Sequence, residues 1–222
     1  KARIRDSRIL GTRHLVQALA SLPERPQVLV AASAVGYYAD RGDETLDETS
    51  APGEDWLAQL CRDWEAEAAR AAPLGLRVVH ARLGIVLGDD GGALARMLPP
   101  FRLGLGGPLA SGRQWMSWIH RDDLVGLLLH AARHPDLSGP LNAVGPQPVT
   151  NREFTRTLAA VLHRPAVFPV PAPALRLLFG EMSTVLLGSQ RVRPRVAEAT
   201  GYSYRHPTLE SALRAIVTAR ER

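Results

Sequence analysis

Apolar positions along the chain switch between two periods, and the switches set out the order of elements. Residues 6–20 carry Ile9, Leu10, Leu15, Val16 and Leu19 at helical spacing, with Asp6 or Ser7 as the cap. After Pro23 and Pro26, the run Val28-Leu29-Val30-Ala31-Ala32 is continuously apolar and short. That pattern predicts a strand buried on both faces, as in a parallel sheet. Residues 36–53 are rich in Gly, Asp and Thr and read as loop. Residues 54–72 predict an amphipathic helix with Trp56, Leu57, Leu60, Cys61, Trp64 and Ala68 on its apolar face, ended by Pro73 and Gly75. Residues 76–87 predict a second buried strand, closed by Gly88-Asp89-Asp90-Gly91-Gly92. Helix, strand, helix, strand at this spacing is the α/β pattern of a doubly wound parallel sheet, and right-handed crossovers put both helices on one face.

The second half is less regular. The pattern predicts a short helix over 93–103 broken at Pro99-Pro100, Gly-rich turns over 104–114 and an extended segment at 114–119. A helix follows from a cap at Asp122 or Asp123 to Arg133, then a short strand over 140–144. Thr150 caps a helix bearing Phe154, Leu158 and Val161. Beyond it, 166–170 reads as extended, 172–187 and 190–199 as helical, 201–204 as extended and 208–219 as a last helix. No internal repeat appears.

The 222 residues suffice for one substantial domain, or one plus a smaller lobe. No apolar run approaches the roughly 18 residues of a membrane span, so no membrane partner is expected. The single Cys61 fits a reducing compartment and a cytoplasmic protein. The net charge of +5 raises a nucleic-acid reading. Against it, the arginines are scattered among acids, and the compact basic cluster is only Arg191, Arg193 and Arg195.

Candidate chemistry gathers just past the first strand, the edge where open α/β sheets bind ligands. Ser33 either hydrogen-bonds a substrate oxygen or fills a tight turn. Tyr37 and Tyr38 either act as acid/base groups, which requires a nearby cation, or pack. Cys61 on an apolar helix face reads as a small hydrophobe. His120 beside Asp122 and Asp123 reads as helix capping rather than a metal site, and His80 as a core residue. Trp115 and Trp118 line either a pocket or the core.

At Ser33-Ala34-Val35-Gly36-Tyr37-Tyr38, Arg82-Leu83-Gly84-Ile85-Val86-Leu87-Gly88 and Trp118-Ile119-His120-Arg121-Asp122-Asp123-Leu124, the chain resembles extended short-chain dehydrogenases/reductases of the sugar-nucleotide epimerase type. Ser7-Arg8-Ile9-Leu10-Gly11-Thr12 is similar to the family's Asn-Val-x-Gly-Thr helix. Two features resemble an atypical subgroup, the YfcH-like "epimerase family" proteins. One is the serine segment continued to Asp43. The other is the carboxyl end, from Phe168 to Leu175, Gly180-Glu181-Met182, Val192-Arg193-Pro194 and Gly201-Tyr202-Ser203-Tyr204, similar to that subgroup's terminal domain of unknown function.

The resemblance implies a Rossmann-type doubly wound sheet with a smaller carboxyl-terminal α/β substrate lobe. The partial NAD(P)-binding domain would be 1–90 with 119–145, and the lobe 91–118 with 146–222. The family's Gly-rich turn has no match, and the chain opens on Lys1. The expectation is that the sheet's first strands are missing here and lie upstream. The implied cofactor is NADP(H), with NAD as the alternative, and the implied substrate is small and polar or nucleotide-linked; oligomeric state is not implied. Ser33, Tyr37 and Tyr38 take the catalytic positions. Arg8, Ala32, Ser33, Leu83, Gly84, Ile85 and Val86 take cofactor positions. The family's Tyr-x-x-x-Lys is absent, since alignment on Glu65 puts Leu57 and Cys61 at its two positions. Two readings therefore stay open: an oxidoreductase or epimerase with a substitute acid, and a catalytically silent NADP-binding module.

Overall fold

The computed structural model describes residues 1–88 and 91–220; Asp89 and Asp90 of the expected closing turn lie outside them. The first part is α1 (Ala2–Ala20), β1 (Val28–Ala34), a 3-10 turn at Val35–Tyr38, β2 (Thr45–Leu46), α2 (Trp56–Ala69), β3 (Arg77–Leu83) and β4 (Ile85–Leu87). Next come α3 (Gly92–Arg102), β5 (Trp115–Met116), β6 (Trp118–His120), α4 (Arg121–Arg133) and β7 (Gly139–Ala143). The chain ends with β8 (Val149–Thr150), α5 (Asn151–Leu162), α6 (Ala172–Phe179), α7 (Ser183–Leu187), β9 (Arg191–Val192), α8 (Arg195–Ala199) and α9 (Leu209–Arg220).

The main sheet is Rossmann-like and parallel, ordered β1-β3-β7. Its two faces follow from strand alternation. Leu29, Ala31 and Val78 pack against Val16 of α1 and Ala68 of α2. Val28, Val30, Val79 and Ala81 pack against Leu124, Leu127 and Ala131 of α4. Helices α1 and α2 thus share one face, as the crossover rule requires. A second core lies beside the sheet, where Leu94, Leu98 and Phe101 of α3 meet Trp118, Phe154, Leu158 and Leu213.

Several elements differ from their sequence pattern. α1 begins at Ala2 rather than at an Asp6 or Ser7 cap, and buries Ile9 and Val16 while Leu10 and Leu15 stay exposed. α3 runs through Pro99 and Pro100 to Arg102. Each internal proline costs a helix about 3 kcal/mol; burial of Leu94, Leu98 and Phe101 in the second core offsets it. The 172–187 helix is two helices joined by a 3-10 turn at Gly180–Met182. Residues 190–199 divide into β9 and α8, and β9 lies parallel beside β2. His120, not an aspartate, caps α4, its Nδ1 accepting the Asp122 N–H at 3.0 Å. At Thr150 the cap is as expected, and Glu153 completes a capping box.

The expected single strand over 76–87 is two strands in two sheets. Through Leu83 the chain pairs with β7; at Gly84 the N–H goes to the Ala143 carbonyl at 3.1 Å, and at Ile85 to the Ser117 carbonyl at 2.8 Å. From Ile85 to Leu87 it pairs with β6 instead. Periodicity cannot show this switch, because both halves are apolar. A side chain at Gly84 would stand 2.5 Å from the Ser117 carbonyl oxygen and 2.8 Å from a Val144 methyl. Gly84→Ala is therefore expected to destabilise the protein by about 1–3 kcal/mol, read as a lower urea midpoint; an unchanged midpoint would show that the crossing has slack.

Candidate functional site

Three residues stand in one row across the carboxyl end of the sheet: Ser33 in β1, Arg82 beside it in β3 and Asn142 beside that in β7. Strand alternation aims Ser33 and Arg82 at the face covered by α2. There the Glu65 carboxylate receives both. The Ser33 hydroxyl donates to Oε1 at 2.7 Å, Arg82 Nε donates to Oε1 at 2.8 Å, and Arg82 Nη2 donates to Oε2 at 2.9 Å. Ser33 is 3% exposed and the Arg82 side chain is buried. A charge at such depth is tolerated only when paired and hydrogen-bonded. Burial opposes the guanidinium's charge, but Glu65 and Tyr38 more than offset it and its pKa is raised.

The 3-10 turn after β1 brings both tyrosines onto Arg82. The Tyr37 ring lies over the guanidinium, centroid to Cζ 3.4 Å, as a cation–π contact. Tyr38 is 0% exposed; it accepts from Arg82 Nη1 at 3.0 Å and donates to Asn142 Oδ1 at 2.7 Å. Burial pushes its phenol up to about 12. Of the two tyrosines, the half-buried Tyr37 is the one with a face toward solvent. Asn142 is held in turn: its N–H donates to Glu48 Oε1 at 3.0 Å and its Nδ2 to the Arg193 carbonyl at 3.0 Å. Burial raises the Glu48 carboxyl pKa although Asn142 and Val196 N–H groups oppose it.

Other expected residues fall around this core. Ala32 is the exposed position of β1, and Leu83, Gly84, Ile85 and Val86 are half-buried along the strand ends. Arg8 is not brought to Ser33; it contacts the Ile4 carbonyl, Ser7 and the ring of Trp64 at 5.3 Å. Leu57 packs toward Gly36, and Cys61 is buried with its thiol pushed up to about 11, by burial first. Trp118 is core, while Trp115 carries Arg191 over its ring at 4.3 Å. Arg193 pairs with Glu198 and Arg195 with Asp47, so the basic cluster is spent on internal contacts. His80 Nδ1 is buried without a partner, unlike the satisfied core histidine expected. Among the described residues His120, Asp122 and His206 offer ligand atoms within 4.8 Å of one another, but the His120 Nδ1 lone pair serves the α4 cap.

Arg82, Glu65, Asn142 and Glu48 are the residues that sequence reasoning did not assign to the site; Arg82 stood only at the start of the Arg82–Gly88 motif. Glu65 had a readable signal, an acid one helical turn from Cys61 and Ala68 on an apolar face. Asn142 and Glu48 had none, because their partners are distant in the chain.

The NAD dependent epimerase/dehydratase family model matches residues 1–145, and a domain of unknown function (DUF1731) matches 170–216. The chain belongs to the NAD dependent epimerase/dehydratase family. Among its relatives, the Arabidopsis thaliana "Epimerase family protein SDR39U1 homolog, chloroplastic" is 45% identical over 98% of this chain and 63% of its own length. The Bacillus subtilis epimerase family protein YfhF is 37% identical over 100% of this chain and 73% of its own. The chain thus spans 63% of the plant relative. A crystal structure of human epimerase family protein SDR39U1 with NADPH superposes with a TM-score of 0.93 at 39% identity, covering 98% of this chain and 76% of that one. Family membership accounts for the Rossmann-like sheet, and leaves the Glu65 cluster to be explained by this chain's own geometry.

Two predictions follow from that cluster. Glu65→Ala strands a buried guanidinium and is expected to cost about 3–5 kcal/mol of stability, with Glu65→Gln costing less, read by urea unfolding. For Glu48 the folded pKa lies above the unfolded value, so the folded state binds the extra proton. Stability should therefore fall as pH rises from about 4.5 through the folded pKa, and Glu48→Gln should flatten that fall in urea midpoints. Parallel profiles for the two proteins would refute the assignment.

Proposed function

We propose that the protein is an NADP(H)-linked oxidoreductase or epimerase-like enzyme of the YfcH-like subgroup, acting on a small polar or nucleotide-linked substrate. The observation that carries this reading is Ser33 and Tyr37 converging on the Glu65–Arg82 pair at the carboxyl ends of parallel strands. The NADPH bound by the human relative supports the cofactor. The residues fit a nicotinamide. Ala32 is exposed, and Leu83 and Val86 are half-buried against the α4 core, which leaves apolar groups without charge at the strand ends for a flat ring. When bound, that ring would supply hydride transfer. In this reading the Rossmann domain is 1–90 with 119–145, the substrate lobe is 91–118 with 146–222, and the buried Cys61 argues for a reducing, cytoplasmic setting.

The Ser33 proton is committed to Glu65, so Ser33 meets a ligand with its lone pairs and accepts a hydrogen bond from a substrate hydroxyl. Tyr37 is the substitute acid. Tyr38, its proton given to Asn142, holds Arg82 in place. Arg8 takes the cofactor position in this reading, with its guanidinium over Trp64 in the free protein.

A second reading has its own observation. Leu57 and Cys61 occupy the catalytic pair's positions, and neither can lower a phenol's pKa. This favours a silent NADP-binding module. NADPH oxidation against a panel of carbonyl compounds separates the two. On the enzyme reading, Ser33→Ala and Tyr37→Phe each lower kcat at least ~100-fold while NADPH binding, followed by fluorescence, stays within about threefold. NADPH binding without oxidation of any panel member would leave the silent module.

A further inference from the structure

Large hydrophobic side chains that lie more than half exposed are concentrated in one region. Among the described residues all but Val125 lie in three segments: Leu103 and Leu105; Val167 and Phe168; and four positions between 177 and 185, led by Leu177 at 87% and Leu178 at 72%. These segments adjoin. Arg164 Nε donates to the Arg102 carbonyl at 3.0 Å, and the Phe168 N–H donates to the Gly106 carbonyl at 3.2 Å. The buried Gln114 Nε2 reaches the Leu109 carbonyl at 3.2 Å and the Leu186 carbonyl at 3.4 Å, which sets the end of α7 beside the Leu109–Val170 bridge that continues the other two segments. Singly exposed leucines need no explanation, but a clustered set marks a surface that meets something apolar.

Charge selects the partner. Residues 91–121 hold four arginines and no Asp or Glu. Residues 154–186 hold three arginines and one acid, Glu181, which is paired with Lys1 at 2.9 Å. Arg102, Arg113, Arg164 and Arg176 border the apolar segments, are exposed, and form no ion pair among the described residues. A second copy of this face would set arginine against arginine. A single-stranded nucleic acid would want stacked aromatics, and the patch offers aliphatic groups with Phe168. Exposed aliphatics rimmed by cations are what an anionic lipid surface accepts: the apolar groups enter the headgroup boundary and the guanidinia meet phosphates. Among the described residues no helix is long and apolar enough to cross a membrane; the expectation of no membrane partner rests on spanning, and adsorption requires no span.

We infer that the face formed by residues 102–105, 164–168 and 176–186 docks on an anionic membrane surface. The test is cosedimentation with phosphatidylcholine vesicles, with and without phosphatidylglycerol. Binding is expected to the phosphatidylglycerol vesicles and to weaken with salt. The double variant Leu177→Asp, Val185→Asp should reduce it at least ~tenfold. The double variant Arg102→Gln, Arg164→Gln should reduce it on anionic vesicles while circular dichroism stays unchanged. Four results would overturn the inference: no vesicle binding at low salt, equal binding by the aspartate variant, tighter binding to an RNA oligonucleotide, or a solution dimer that the aspartate variant abolishes.

Discussion

A buried guanidinium must be answered by an acceptor, and in this fold Glu65 answers Arg82. The pair lies in the sheet's interior face, where leaving either charge alone would take a large share of a domain's stability. That constraint orders much else. It fixes α2 against β3, so the helix cannot rotate. It takes the Ser33 proton, so the serine's direction is set from below. Its free edge then receives Tyr38, and through Tyr38 reaches Asn142 and the β7 edge of the sheet. One acid on one helix thereby spans all three strands.

The pair also bears on how chemistry could proceed without the family's usual tyrosine and lysine. In that arrangement a cation beside a phenol supplies the lowered pKa. Here the cation is Arg82, brought from a strand rather than from α2, and the phenol stacked on it is Tyr37, from the turn after β1. Cation and phenol are both present, but face to face rather than side by side. The guanidinium's donors are directed to Glu65 and Tyr38, so it meets Tyr37 through the ring face alone.

The sequence showed the sheet where each strand had its own period and breakers, as at Val28 to Ala32. It did not show the division at Gly84, because hydrophobicity is unchanged across it and only the hydrogen-bond partner changes. α3 was hidden in the same way: Pro99 and Pro100 read as a break, and only the core around Phe101 holds the helix together. In the site, Ser33 and the tyrosines could be read as neighbours along the chain. Their connection could not, because Glu65, Arg82 and Asn142 are brought together by register and crossover. Asn142 is the extreme case, reached by Glu48 from 94 residues away and by Tyr38 from 104.

The two halves of the chain answer different demands. The sheet half answers its buried charges from within: Arg82 by Glu65, Glu67 by Arg13 and Arg70, and Glu48 and Asp123 by backbone N–H groups, while its exposed Arg5 pairs with Asp63. The later segments leave arginines exposed beside exposed leucines. Unpaired cations keep their full long-range field, and exposed aliphatics keep their full transfer energy. Both are therefore unspent in the free protein and available together to one external surface, which must be apolar just beneath a negative layer.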